Sequence, residues 1–359
     1  MDEMLREWSA RIQAAAAAQR PLCLQGGGSK AFYGHAPRGE PMALGAWQGI
    51  EAYEPDELVV TVRSGTPLAV LESALAERGQ MLAFEPPHFG PGSTVGGCVA
   101  AGLAGPRRMA GAFPAGAVRD HVLGVKLLDG QGRLLRFGGT VMKNVAGYDV
   151  SRMLAGSLGI LGILVELSLK VLPRPACRHT LRFALDETSA LQCCNEWASR
   201  PLPVSASAWA DGVLHLRLEG SDAAVEAASR QLGGDDLSLT EADTFWSGLR
   251  DQSTGFFRGD EEPLWRFSLP PTAKALSLPG RTCIEWGGAQ RWVFSSRPDA
   301  DLRALASRLG GHATRWRGGD RAQGVFTPLP APLRDIHQRL KQQLDPSGIF
   351  NPGRLVEGL

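Results

Sequence analysis

Short apolar runs separated by glycine govern residues 21–172, and their spacing predicts a mixed α and β unit. Residues 57–65, ELVVTVRSG, read as a strand, and 66–80, TPLAVLESALAERGQ, as a helix. In that helix Leu68, Leu71 and Leu75 share one face, Pro67 sits at the first turn and Gly79 ends it. The alternation through 122–139 predicts a hairpin that turns at Asp129-Gly130 and Gly132. ILVELSLKVLP (163–173) predicts another strand, and Pro-Arg-Pro at 173–175 marks a boundary. The opening MDEMLREWSARIQAAAAAQR predicts an Ala-rich amphipathic helix of the folded protein, because Asp2 and Glu3 stand where a secretory leader needs positive charge.

Beyond residue 175 the texture changes. Residues 178–241 read strand, helix, strand, strand, helix, strand, with WADG (209–212) as the middle turn. Residues 264–315 repeat that order through LWRFSLP, TAKALS, RTCIEWGG, AQRWVFSS, DADLRALASRLG and GHATRW. Two such halves predict an antiparallel sheet with helices on one face. A last helix, APLRDIHQRLKQQL (331–344), leads to DPSGIFNPGRL.

With 359 residues the chain suggests two domains. A net charge of +1 gives no electrostatic case for nucleic acid or an anionic membrane surface. The longest uncharged apolar stretch, 153–165, holds three glycines and falls short of a membrane span. Cysteines at 23, 98, 177, 193, 194 and 283 include no CxxC pair, which argues against an iron–sulfur cluster or zinc ribbon on this chain and for buried thiols in a reducing compartment.

Candidate chemistry concentrates in three glycine clusters. The first, GGGSK (26–30), follows the apolar run Leu22-Cys23-Leu24. It lacks the spacing of a P-loop. Gly26, Gly28 and Ala31 match G-x-G-x-x-A formally, but Gly34, Pro37, Gly39 and Pro41 forbid the helix that a Rossmann turn must open. What remains is a strand-to-loop turn whose bare amides bind a pyrophosphate, or a turn that binds nothing. A second cluster, PGSTVGGCVAAG (91–102), favours the first alternative, since small residues let an extended ligand lie on the main chain, although tight helix packing selects the same residues. In the third, 143–163, Asp149 reads as an N-cap and Gly156 as a helix stop, with Gly159 and Gly162 leading into the next strand.

GGGSK, GSTVGG, GPRRMAG, VMKNVAGYDVSRMLAGSLGILGILVELSLKVLP and the ending LDPSGIFNPGRL together resemble the PCMH-type, or vanillyl-alcohol oxidase, FAD-binding superfamily over essentially the whole chain. Within it, GPRR and VMKNVAGYD resemble the E subunits of bacterial glycolate oxidases. The resemblance implies an α+β fold: a two-subdomain FAD-binding domain (1–173), an antiparallel-sheet cap with ferredoxin-like repeats (174–330), and a C-terminal helix and tail returning to the flavin domain (331–359). It implies the FAD pyrophosphate on the amides of Gly26, Gly27, Gly28, Ser29 and Lys30. Pro91, Gly92, Ser93, Thr94, Gly96 and Gly97 would then run beside the flavin and ribityl chain, and Gly156, Gly159, Gly162, Ile163 and Val165 would line the adenine side. Lys143 is implied near the ring's pyrimidine end. Asn351 reads equally as a group approaching the isoalloxazine and as a simple Asn-Pro turn.

Two departures qualify what the resemblance implies. Covalent attachment in the superfamily uses a histidine close to the first glycine loop, and here the nearest, His35, lies beyond it, so FAD is expected to be non-covalent. Related 2-hydroxy-acid dehydrogenases carry H-x-G-D-G-N-x-H in the cap, whereas the seven histidines here stand singly, so no metal site and no catalytic base are assigned. Arg107, Arg108 and Arg119 read as solvated, as facing a partner protein, or as cations beside the flavin. The expected function is the FAD-binding redox subunit of a glycolate oxidase, with a flavin-dependent catalytic subunit and an iron–sulfur subunit as partners, cytoplasmic or peripheral at the inner membrane through them. A free-standing D-2-hydroxy-acid dehydrogenase and a redox-silent scaffold are the other readings.

Overall fold

Two antiparallel sheets organise the chain, whose computed structural model describes residues 2–109, 111, 114–140, 149–258 and 261–359. The first has five strands in the order Ile50–Glu54, Val59–Arg63, Ile163–Lys170, Val122–Leu128 and Leu134–Gly138. Its central strand, Ile163–Lys170, is buried almost throughout because both of its faces are covered. On one side lie helices Leu68–Ala76 and Val95–Ala101, whose Leu68, Leu71, Leu75 and Val99 pack on Val60, Val62, Leu167 and Leu169. Each fully buried leucine of that set is worth about 1.5–3 kcal/mol relative to exposure. Helix Glu3–Ala17 packs Leu5, Trp8 and Ile12 against Leu22, Leu128, Ile163 and Val165. Pro67 stands one residue earlier than the sequence suggests, as the residue before the Leu68–Ala76 helix, and Gly79 ends that turn at φ +65°.

The second sheet has eight strands in the order Asp235–Asp236, Cys177–Ala184, Val213–Gly220, Val204–Ala210, Thr282–Glu285, Gln290–Phe294, Leu264–Ser268 and His312–Arg317. Residues 178–241 follow the expected alternation. The second half departs from it: 272–277, TAKALS, form no helix. Prolines at 270, 271 and 279 hem the segment in, leaving too few residues to nucleate a helix. Its carbonyls are engaged elsewhere, because the fully buried Arg291 guanidinium donates to the carbonyls of Ala273 and Lys274.

Helices Glu187–Ala198, Asp222–Leu232 and Asp299–Arg308 cover one face of this sheet through Ala190, Trp197, Val225, Leu302 and Ala306. Strand alternation turns the other face towards the first lobe, where Ala206, Ala208, Trp292 and Trp316 pack with Tyr33, Ala101 and Leu103. Two arginines, Arg217 buried and Arg107 partly so, and two glutamates cross this seam. Arg217 donates to Glu85 at 3.0 Å and Arg107 to Glu219, with Arg217 3% exposed. Burial pushes the Glu85 carboxyl up, and the Arg217 and Arg107 guanidinium groups overcome it and hold that carboxyl below the usual carboxylate range. Arg107 is therefore a joint between lobes rather than a solvated cation.

Helix Ala331–Leu344 returns to the first lobe, setting Leu344 in its core. Buried Lys341 donates to the carbonyls of Ile160 (2.7 Å) and Phe350 (2.8 Å) and to Asp345 Oδ2 (2.6 Å). The tail then runs beside the strand Leu22–Gln25, with Leu22 N–H donating to Ile349 at 2.7 Å and Asn351 N–H to Leu22 at 2.9 Å.

One carboxyl on the seam-facing side of the second sheet is nearly isolated from water. Glu285 is 4% exposed and accepts from the Trp292 indole at 2.5 Å and from Gln290 Nε2 at 3.1 Å. Burial raises it from 4.5 to about 7.

Arg217→Met, which leaves two buried carboxylates under-compensated, is expected to cost about 3–5 kcal/mol in urea unfolding. A loss below about 1 kcal/mol would show that the cluster does not join the lobes. Between pH 4.5 and 7 the folded chain holds a proton on Glu285 that the unfolded chain releases, so this contribution to stability falls as pH rises through that window. Unfolding midpoints measured from pH 4.5 to 8 are expected to show that fall, and Glu285→Gln to flatten it.

Candidate functional site

The strand Leu22–Gln25 lies parallel to Glu40–Ala43 and delivers the first glycine loop at its C-terminal end. No helix follows: Ala31 and Tyr33 turn back on the carbonyls of Gly28 and Lys30. None of the five amide nitrogens from Gly26 to Lys30 donates to an acceptor among the described residues. Successive unpaired N–H groups of this kind make an anion-binding concavity.

The second loop is pressed against the first. A Cβ added at Gly27 would stand 1.3 Å from the Gly92 carbonyl oxygen, and one at Gly26 would stand 2.5 Å from Thr94 Oγ1. Lys30 ties them together from behind, with Nζ donating to Ser93 Oγ at 2.7 Å and to the His88 carbonyl at 3.3 Å. Burial lowers the Lys30 pKa. Thr94 caps the helix Val95–Ala101 by accepting from Gly97 N–H at 3.2 Å, so part of the second cluster is helical. Gly96 lets that helix approach Ser64, where a Cβ would meet a side-chain carbon at 2.6 Å.

The third cluster passes beside both. Asp149 caps the short helix Val150–Met153, and Gly156 N–H and Leu158 N–H donate to Val99 and Ala100 of the second cluster. Gly156 has φ +84° and open space where a Cβ would point. Ile163 and Val165 bury their side chains, while the Val165 carbonyl accepts from the Trp47 indole at 3.1 Å. Gly159 makes room for Asn351, whose amide nitrogen would sit 2.8 Å from an added Cβ. Asn351 Oδ1 accepts from Leu24 N–H at 2.8 Å and its Nδ2 donates to the Leu158 carbonyl at 2.7 Å. That side chain clamps the strand before the first loop to the third cluster. Lys143 lies outside the described residues.

Groups that the sequence left unassigned lie on the seam-facing side of the second sheet. The register sets Glu285 beside Gln290, Gln290 beside Ser268, and Ser268 beside His312, so the four form one row. In the next row Trp292, Arg266 and Thr314 are neighbours. Arg266 donates to the Tyr33 hydroxyl at 3.2 Å, three residues past Lys30. Phe32 packs edge to face on Phe89 and on Trp316, and Tyr33 packs tilted on Trp316, with ring centroids 5.0–5.5 Å apart. His215 stacks on Phe245 at 3.9 Å, and burial lowers its pKa to about 4, as suits a packed residue. Glu285 had a signal: Glu285-Trp-Gly-Gly-Ala-Gln-Arg-Trp292 spans the same eight positions as H-x-G-D-G-N-x-H, with Glu285 and Trp292 where that pattern has histidines. Among the described residues no group of three or more His, Cys, Asp or Glu could hold a metal ion, and no helix is long and apolar enough to cross a membrane.

The residues fit FAD. A dinucleotide needs an anion cradle that an added Cβ would fill, and small residues along which it can extend; the loops supply both. A family described as "FAD binding domain" matches residues 5–138. The chain is 48% identical to glycolate oxidase subunit GlcE of Escherichia coli (strain K12), over 97% of this chain and 96% of that one. It is 29% identical to a D-lactate dehydrogenase of Archaeoglobus fulgidus, over 98% of this chain and 90% of that one. Among solved structures, alkyldihydroxyacetonephosphate synthase shares the fold, with a TM-score of 0.64 at 15% identity over 97% of this chain and 75% of that one. These likenesses, on an α+β frame whose glycine loops leave a row of amides free, make the chain a member of the GlcE family of PCMH-type FAD-binding proteins, an FAD-dependent oxidoreductase subunit.

Proposed function

We propose that this chain is the FAD-carrying redox subunit of a glycolate oxidase assembly that converts glycolate to glyoxylate. The observation that carries the reading is the run of five amides from Gly26 to Lys30 without acceptors, in a chain 48% identical to a glycolate oxidase subunit.

In this reading residues 1–173 act as the flavin domain, 174–330 as the cap and 331–359 as a returning tail. The amides of Gly26, Gly27, Gly28, Ser29 and Lys30 take the pyrophosphate oxygens, and Lys30 offsets their charge. Pro91, Gly92, Ser93, Thr94, Gly96 and Gly97 border the ribityl chain and ring. Gly156, Gly159, Gly162, Ile163 and Val165 border the adenine side. Asn351 works at one remove, by fixing Leu24 and Leu158. Lys143 is assigned to the pyrimidine end of the ring. Bound FAD supplies the two-electron acceptor for hydroxy-acid oxidation. The chain's aromatic seam keeps water from that region, and its charged row faces it. A partner flavin subunit and an iron–sulfur subunit complete the assembly, in keeping with cysteines that lack cluster spacing. The assembly works in the cytoplasm and reaches the inner membrane through its partners. Likeness to a D-lactate dehydrogenase along nearly the whole chain favours a second reading, a free-standing D-2-hydroxy-acid dehydrogenase.

FAD is held without a covalent bond. The imidazole of His35, the first histidine after the glycine loop, accepts from Val325 N–H at 3.1 Å. Acid precipitation is expected to release all yellow colour into the supernatant, and colour retained in the denatured pellet would refute non-covalent binding. Gly27→Ala must separate the two loops, so FAD retention measured by absorbance ratio after dialysis is expected to fall about tenfold or more. Anaerobic glycolate added to the FAD-loaded chain is expected to leave the flavin oxidised until the partner subunits are supplied. Bleaching without them would favour the free-standing dehydrogenase.

A further inference from the structure

A cleft of about 800 Å³ reaches Arg266, Thr314 and Tyr33 between the edge strand His312–Arg317, the 324–330 connector, helix Ala331–Leu344 and residues 355–357. Arg266, Arg303, Arg334 and three histidines line it, against one carboxylate, Glu357, among its lining residues. Three of these positive or titratable groups are already engaged. Arg303 pairs with Asp299 at 3.4 Å and donates to Gly324, His35 accepts from Val325, and His337 Nδ1 donates to the Leu333 carbonyl at 2.7 Å.

Arg266 differs. Among the described residues its guanidinium makes one hydrogen bond, to the neutral Tyr33 hydroxyl, and no ion pair with a carboxylate. It lies 4.7 Å from the Trp316 ring centroid and 5.6 Å from that of Tyr33. Aromatic faces hold such a group in place without using its N–H donors, and only some of its five are committed here. Thr314, 2% exposed, sits opposite Arg266 across the strand pair, and His312 is its diagonal neighbour on the same face. His312 stands at the exposed start of its strand, and partial desolvation and then the charges of Arg266 and Arg108 lower its pKa, which favours the neutral ring at pH 7. The buried Glu285, whose carboxyl feels the charge of Arg266, already receives two side-chain hydrogen bonds of its own. One oriented guanidinium flanked by neutral donors suits a planar carboxylate better than a tetrahedral phosphate.

We infer that the inner end of this cleft is a carboxylate-binding site, in which the Arg266 guanidinium takes the carboxylate of a small 2-hydroxy acid in a two-pronged contact beside Thr314 and His312. The inference rests on the flavin-subunit reading, since it brings the acid to the seam where the glycine loops lie. It assigns the Arg266 row as the place where this chain senses or receives the acid, whichever subunit oxidises it.

The test uses the full FAD-loaded chain and oxalate, a small carboxylate with no oxidisable C–H bond, titrated by calorimetry. Flavin content is measured separately on the same samples. Wild type is expected to bind oxalate, and Arg266→Met to weaken it about tenfold or more with the flavin-to-protein ratio unchanged. Neutral glycolamide is expected not to bind, and inorganic phosphate to bind more weakly than oxalate. If Arg266→Met fails to fold, wild-type chain labelled with phenylglyoxal is read by peptide mass spectrometry, and oxalate is expected to protect Arg266. Unchanged oxalate affinity in Arg266→Met, tighter binding of phosphate, or labelling of Arg266 indifferent to oxalate overturns the inference while leaving the flavin reading intact. A chain that takes up no flavin but binds oxalate through Arg266 defeats the flavin reading alone.

Discussion

The contact between two bare stretches of main chain, Gly27 against Gly92, governs the rest of the molecule. A single methyl group at Gly27 would have to occupy the position of the Gly92 carbonyl oxygen. Because the loops meet backbone to backbone, the first keeps its amides clear of other partners, and Lys30 can reach behind to Ser93. The third cluster then locks onto the second through Gly156 and Leu158. The approaches at Gly27 and at Gly102, where an added Cβ would meet the Gly92 carbonyl and the Gly156 main chain, are set by the absence of a side chain rather than by the attraction of one. Such a cradle is rigid without being strongly charged.

Against this quiet backbone site the second lobe brings most of the charge. Its sheet presents one apolar patch, one neutralised ion cluster and one row in which a guanidinium is left without a carboxylate. The division has a physical logic. The Arg217–Glu85 and Arg107–Glu219 pairs satisfy one another at low exposure and so fix how the lobes meet. Arg266, held by aromatic faces, keeps its donors available. Joint and site are built from the same residue type in different company.

Much of this was legible from residue order. Strand Val59–Arg63 and the hairpin Val122–Gly138 declare themselves through local alternation, and the glycine loops through the crowding that only glycine tolerates. Less was legible wherever distant segments decide the outcome. TAKALS looks helical until Arg291, arriving from another strand, takes its carbonyls. Asn351 reads as a turn or a ring contact, because nothing nearby in sequence reveals that Leu24 and Leu158 wait on either side of it. Arg266 and Glu285 gain meaning only once strand register places them on the seam-facing side of the sheet.

The tail's position beside Leu22–Gln25 bears on how the protein matures. The strand that leads into the first glycine loop and the Ile349–Asn351 segment that braces it are more than three hundred residues apart in the chain. Closing a loop of more than three hundred residues is slow compared with local folding. Strand and brace can therefore join only after the two sheets between them have been synthesised, so this fastening closes over lobes already made.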